Sequence, residues 1–195
     1  MIYDDLTRFK RIFRRLPSLE TDRLCLRKAV LRDAQDIYRY AQDAEVARYV
    51  LWTPHHSLAD SREMVRSMRM QYRRGYPSSW VIALKEGGRV IGTIGYMWIS
   101  PGNMSAEVGY SLARDCWNQG LMTEALRAVL AFSFDTLSLH RVEAQHDIRN
   151  PASGRVMEKA GMQAEGVLRD RLINKGAYST VKLYAAISEQ HNTAK

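Results

Sequence analysis

The sequence predicts a mixed α/β domain of the α+β kind, with one sheet and helices around it, and three features carry that prediction. First, several segments read as strands: TDRLCLRKAV (21–30) alternates apolar and polar residues, SWVIALK (79–85) and RVIGTIGYMWI (89–99) flank a turn, and MSAEVGYSLA (104–113) and RVEAQHDI (141–148) follow. Second, segments of helical spacing lie between them. Third, two of those helices, opening at WNQGLMTEAL (117–126) and NPAS (150–153), follow strands directly.

Residues 1–16 place Leu6, Phe9, Ile12, Phe13 and Leu16 at helical spacing, with Arg8, Lys10, Arg11, Arg14 and Arg15 around them. That is a basic amphipathic helix ending at Pro17, expected to pack on its own domain, with an RNA, ribosome or membrane contact as the competing reading. A strand at 21–30 is followed by helices over 32–48 and 58–74, the second stopped by Gly75 and Pro77. SWVIALK and RVIGTIGYMWI form a hairpin about Gly87–Gly88, and a third strand follows the turn at Pro101–Gly102–Asn103. Next come a helix to about Asp135, the strand 141–148, a helix from Asn150 closed by Gly161, and a last pair of strands around Asn174–Lys175–Gly176. No repeat or linker interrupts the chain, so residues 1–195 are expected to form a single domain.

Composition bounds the class. The 195 residues are 46% hydrophobic and 26% charged, as in globular proteins. No apolar run nears the roughly 20 residues a membrane-spanning helix needs. Asp4, Asp5, Arg8 and Lys10 among its apolar residues mean that the N-terminal stretch is not expected to be a signal peptide. Cys25 and Cys116 form no disulfide framework or metal spacing, and the five histidines show none either, so no metal is expected and the cytoplasm is the expected compartment. His55 and His56 read as surface groups. The net charge of +8 asks for an anionic partner without naming one, or serves solubility alone.

The strand at 104–112 sorts by parity. Met104, Ala106, Val108, Tyr110 and Leu112 point one way, and Ser105, Glu107, Gly109 and Ser111 the other. Gly109 marks either a bulge or a close approach by a ligand. Glu107 is either a surface carboxylate or a working one. The helix after WNQGLM is apolar nearly all round, so its first-turn N–H groups need a partner other than bulk water. Asn118 could cap it, or the Gly120 loop and the positive helix end could hold an anion. In NPAS, Asn150 stands at the N-cap, Pro151 at the first helical position and Ser153 in the first turn, with Arg155 and Lys159 four residues apart beyond. Ligands of open α/β sheets bind beyond strand C-termini, where both helices start. GxxxxGK[ST], GxGxxG and GxSxG are all absent.

On these residues the chain resembles the GNAT superfamily of acetyl-CoA-dependent N-acetyltransferases, and within it the RimJ/RimL type, named for acetylating N-termini of ribosomal proteins. LETDRLCLRKAVLRDAQDIYRYAQDAEV resembles the family's opening strand and helix, AEVGYSLARDCWNQGLMTEAL its cofactor motif, and NPASGRVMEKAGMQAEGVLRD the helix and strand after it. The superfamily loop Gln/Arg-x-x-Gly-x-Gly/Ala reads here with Trp117 at the first position, Gly120 intact and Met122 at the last. The resemblance implies a central, mostly antiparallel sheet with splayed strands and helices on both faces.

It also implies that acetyl-CoA is the anion carrier. Its pyrophosphate would lie on the loop formed by Trp117, Asn118, Gln119, Gly120, Leu121, Met122 and Thr123. Its pantetheine arm would run along Tyr110, Ser111 and Leu112 towards Asn150 and Ser153, with Arg155 and Lys159 at the adenosine 3′-phosphate. The implied reaction is direct attack by an amine, with Glu107 as base through a water and Ser153 at the departing sulfur. Some RimL-like proteins place a glutamate in the strand after Glu165–Gly166; here Leu172 stands there, which shifts weight onto Glu107. Tyr49, Trp52, His55, Tyr96 and Trp98 are candidates for the acceptor pocket, although aromatics at such positions are often core. The implied acceptor is a protein N-terminal α-amine, with ribosome association possible and the chain a monomer or homodimer off the membrane. A small-molecule amine, or a non-catalytic RNA-binding protein on the same fold, are the alternatives.

Overall fold

The computed structural model describes residues 2–189; Met1, residues 190–195 and the side chains of residues 2–5, including Asp4 and Asp5, lie outside the described residues. Helix α1 (Ile2–Arg14) turns Phe9 and Phe13 into the core, followed by Leu16 just past its end, and the Phe13 ring meets Tyr96 edge-on at 5.5 Å. The helix therefore packs on its own protein. Strand β1 (Leu19–Glu20), too short for the alternation to show, pairs with β2 (Leu24–Arg27). The expected helix over 32–48 is in fact three pieces: a 3-10 turn at Leu31–Asp33, α2 (Ala34–Ala41) and α3 (Ala44–Ala47). Asp43 causes the second break, because its extended backbone lets its side chain accept the Glu45 N–H at 2.9 Å and cap α3. Helix α4 (Leu58–Arg74) ends at Gly75, whose φ of 71° is left-handed. A Cβ at Gly75 would stand 2.4 Å from the Lys10 carbonyl oxygen, so α4 closes against α1 only with glycine there.

Strands β3 (Ser79–Leu84) and β4 (Val90–Ser100) form the expected hairpin, and β5 (Ser105–Leu112) follows. Then come α5 (Leu121–Ala131), a wider helical turn to Thr136, β6 (Arg141–Asp147), α6 (Pro151–Lys159), β7 (Gln163–Asn174) and β8 (Ala177–Ile187). The eight-stranded sheet runs β1-β2-β3-β4-β5-β6-β8-β7 and is antiparallel everywhere except between β5 and β6.

That parallel contact positions the site. It holds for three residue pairs, Ser105↔Arg141, Ala106↔Val142 and Glu107↔Glu143, and then stops. Beyond it β5 stays with β4 as far as Leu112, while β6 stays with β8 as far as Asp147. The two halves of the sheet diverge, and a wedge opens between them. Because Met104 O accepts from His140 and Arg141, the backbone groups of even-numbered β5 residues face β6. Below the last pair, the N–H and C=O of Val108 and Tyr110 therefore face the wedge.

The side chains follow parity as expected. Ala106 and Val108 share the core face with Tyr96, whose hydroxyl meets Ser133 Oγ at 2.6 Å below α5. Glu107, Gly109 and Ser111 occupy the other face, on the side of Met64 from α4. Among the described residues, no helix is long and apolar enough to cross a membrane.

Candidate active site

The loop before α5 is held open from behind. Asn118 and Gly120 are both left-handed, with φ of 60° and 76°. Gly120 occupies the N-cap, and no side chain caps α5, so the expectation that Asn118 might do so is not met. The first-turn N–H groups have no intrahelical partner by geometry. Trp117 braces the loop, its Nε1 donating to Leu112 O at 2.8 Å, and Gln119 Nε2 donates to Asp115 O at 2.8 Å.

Arg23, in the turn between β1 and β2, sets the orientation of the key peptide. Its Nη1 donates to Gln119 O at 2.9 Å. Carbonyl and N–H point opposite ways across a trans peptide, so the Gly120 N–H is turned away from Arg23 to the open side. Glu124, in the first turn of α5, fixes Arg23 at 2.7 Å and also accepts from Thr21 Oγ1 and the Arg23 N–H. Burial pushes the Glu124 carboxyl up, yet those hydrogen bonds together carry it below its ordinary range. Sequence reasoning missed Arg23 and Glu124, because nothing local ties residue 23 to residue 119.

The wedge opens into a cavity of about 260 Å³. Glu107 lines it, its carboxylate accepting from Trp98 Nε1 and Gln145 Nε2, each at 2.9 Å. Ser111 lines the same floor, and Leu112 is drawn aside by Trp117. On the α6 side, Tyr110 Oη lies 3.0 Å from both Ser153 O and Ser153 Oγ, and burial pushes the tyrosine hydroxyl well up. Asn150 lines the cavity, but its side chain makes no capping hydrogen bond, contrary to expectation: its φ of −112° and ψ of 67° take the residue off the usual cap geometry. Ser153 N instead donates to Asn150 O at 3.2 Å. Arg155 and Lys159 stand exposed on the outer face of α6. Leu121, Met122 and Thr123 bury their side chains, leaving backbone at the loop surface.

The far wall comes from residues 49–52 and the β7–β8 hairpin. Tyr49 lies under two guanidinium groups, Arg48 at 5.3 Å and Arg149 at 5.8 Å from its ring centre. Trp52 and Leu172 line the cavity, and His55 stands behind Trp52 at 5.5 Å, its Nδ1 2.7 Å from Ser61 Oγ. Burial lowers the His55 pKa, so His55 is half-buried support and not the surface group expected. Tyr96 is corrected outright: at 4% exposure it belongs to the core beside Phe13 and Trp80. Trp98 is partly exposed and reaches the cavity through Glu107.

Several lining residues went unpredicted, Gln145, Asp147 and Asn174 among them. Hydrogen bonds from the Arg149 side chain depress the Asp147 carboxyl strongly, with a further bond from Ser179 Oγ at 2.5 Å. Asn174 Nδ2 donates to Tyr49 O at 3.4 Å, and Lys175 Nζ donates to Ala47 O, so the hairpin tip clamps the end of α3 and the residues just after it. Parity on β6 would have grouped Gln145 with Asp147, but only the β5–β6 register brings Gln145 to Glu107 and both residues to the same cavity.

An uncapped helix start beside a wedge lined by free strand backbone fits a long ligand with phosphates at one end, and the cavity at the other end carries a carboxylate and a hydroxyl. Comparison with known proteins gives the family. Residues 23–163 match the family model described as the acetyltransferase (GNAT) domain. The chain is 32% identical over 176 residues to an N-acetyltransferase of Bacillus licheniformis, covering 90% of this chain and 99% of that one. It is 32% identical over 128 residues to the ribosomal-protein-serine acetyltransferase of Escherichia coli, covering 66% and 70%. A solved acetyltransferase (GNAT family) from Bacillus anthracis superimposes with a TM-score of 0.80 at 25% identity, covering 89% and 99%.

Proposed function

The chain belongs to the GNAT acetyltransferase family, and from that premise we propose that it transfers an acetyl group from acetyl-CoA to the N-terminal α-amine of a protein, as a single cytoplasmic domain. The observation that carries this is the break in β5–β6 pairing after Glu107↔Glu143 beside the uncapped start of α5. It leaves unpaired strand backbone and helix-start amides along one path.

Bound acetyl-CoA supplies an acetyl thioester, the electrophile. The amides of Gln119 to Thr123 hold its pyrophosphate, with Arg23 fixing the Gln119–Gly120 peptide so that the donors face outward. The Val108 backbone groups and the Tyr110 carbonyl pair with the arm in the wedge, and Asn150 lies at its end. Arg155 and Lys159, exposed on α6, meet the 3′-phosphate.

Glu107 takes the amine's proton, directly or through a water. An α-amine titrates near about 8 and lysine near about 10.4, so an α-amine offers far more neutral nucleophile at pH 7 and asks less of the base. Trp98 and Gln145 keep the Glu107 carboxylate aimed across the floor. The Tyr110 N–H stands at the wedge to stabilise an oxyanion. Ser153 Oγ, tied to Tyr110 Oη at 3.0 Å, holds the hydrogen bond for the sulfur that leaves. Tyr49, Trp52 and Leu172 form the apolar wall for the acceptor's first side chain. A relative that acts on a ribosomal protein supports a protein acceptor here.

The test is acetyl-CoA consumption with peptides bearing N-terminal Ala, Ser or Met, read out by mass. Acetylation at the α-amine is expected. Turnover only with lysine side chains or small free amines would overturn the acceptor assignment while leaving the transferase.

A further inference from the structure

We propose that the exposed faces of α1 and of the C-terminal half of α4 form a docking surface for RNA, distinct from the acetyl-transfer cavity and independent of the acceptor assignment. Past Leu6, which is exposed, the apolar side of α1 is spent on the core, with Phe9 at 4% and Phe13 at 0% exposure. Its other side presents Lys10, Arg11, Arg14 and Arg15 to solvent. Helix α4 ends in exposed Arg73 and Arg74, and the fit of Gly75 against the Lys10 carbonyl sets that end beside α1. Lys28 joins the two helices, its Nζ donating to Arg14 O at 2.7 Å and standing 5.5 Å over the Tyr72 ring.

Seven cations from three separate segments thus meet on one surface. Neither residues 6–19 nor residues 64–78 contain an acidic residue. Helix faces usually intersperse both signs, and a one-signed surface is what a string of phosphates selects. Tyr76, 49% exposed just past the α4 end, adds a ring on which a base can stack. A membrane is the poorer partner, because an interfacial helix must bury its aromatic and aliphatic face in lipid, and α1 has already buried Phe9 and Phe13 in protein. Met64, at the cavity, precedes Arg73 by nine residues, a separation of about 14 Å along α4. The cavity mouth stays open to substrate while RNA is held.

Fluorescence anisotropy with a labelled single-stranded 20-nucleotide RNA tests this on the whole chain. With about five phosphates neutralised, affinity should fall roughly a hundredfold between 50 and 200 mM salt. The double variant Arg73→Glu/Arg74→Glu should weaken RNA binding at least tenfold and leave kcat/KM for a short peptide unchanged. Arg39→Glu/Arg62→Glu, the same charge change placed elsewhere, should leave RNA affinity within about twofold at 200 mM salt, where long-range attraction is screened. Salt-independent or undetectable RNA binding overturns the proposal. So does an equal loss in both double variants, or tighter binding to phosphatidylserine vesicles than to RNA.

Discussion

Replacing Gly154 by alanine tests the placement of α6 most directly. Gly154 is buried in the first helical turns of α6, next to Ser153. A Cβ there would lie 2.6 Å from His146 Nε2 and 3.2 Å from Tyr184 Oη. Neither ring can easily withdraw: His146 Nδ1 is held 2.8 Å from Asp147 O, and Tyr184 Oη donates to Glu158 at 2.8 Å. Carbon contacts settle near about 3.5 Å, so helix and strand must part by roughly 0.9 Å. Overpacking of that size costs about 1–3 kcal/mol, and exchanging glycine for alanine in a helix returns about 1 kcal/mol. The net loss of about 1 kcal/mol should lower Tm by about 2–4 °C in a chain of this size. Catalysis should suffer more, because displacement of a positioned group by about 1 Å can cost about a hundredfold. Thermal unfolding and steady-state acetyl transfer, measured on one preparation, separate the two effects. A variant with wild-type kcat/KM would refute the claim that the Gly154–His146 contact sets where Ser153 stands.

Three further outcomes are expected. Glu107→Gln removes the proton acceptor and leaves one amide oxygen for the two donors Trp98 and Gln145; turnover should fall about a hundredfold or more and lose its dependence on the acidic limb, with the KM for acetyl-CoA unchanged. An unaltered pH–rate profile would remove Glu107 from the role of base. Gly120→Val should raise that KM at least tenfold, because a φ of 76° costs a side-chain-bearing residue about 1–2 kcal/mol, although the nearest atom to the new Cβ, Arg23 Nη2, is 3.6 Å away. Normal cofactor affinity in that variant would move the pyrophosphate elsewhere. Asp147, whose carboxyl is depressed by Arg149, titrates near about 3.9 once unfolded. Its stabilisation is therefore complete above that value and is lost as pH falls toward the folded pKa. Tm should stay level from pH 7 to 5 and drop below pH 4, and Asp147→Asn should drop less steeply; parallel curves would mean the pairing contributes nothing.

Local patterns were enough for the elements whose causes are local. The stop of α4 at Gly75, the β3–β4 hairpin, the parity of β5 and the left-handed end of α6 at Gly161 all follow from residues within a few positions. The sequence also marked the loop at Gly120 that opens α5, and placed Glu107 on a strand and Ser153 in the first turn of a helix. Even so, local reading failed where two local signals compete: Asp43 breaks a helix that spacing alone continues, and Asn150 stands at a cap position without capping. Tyr96 and Trp98 looked alike in the sequence, yet the bulge in β4 between residues 96 and 98 sends one to the core and leaves the other exposed beside Glu107.

What only the tertiary structure decided is everything that depends on where β5 stops pairing with β6. The wedge, the reach of Gln145 and Asp147 into the Glu107 cavity, and the grip of Arg23 on residue 119 each join segments tens of residues apart. The same holds for the basic surface, which no single helix carries and which needs Gly75 against Lys10. Side-chain periodicity records which way a residue faces along its own strand or helix. It does not record the register or separation of two strands far apart in the chain, because those are set by packing on both faces of the sheet at once.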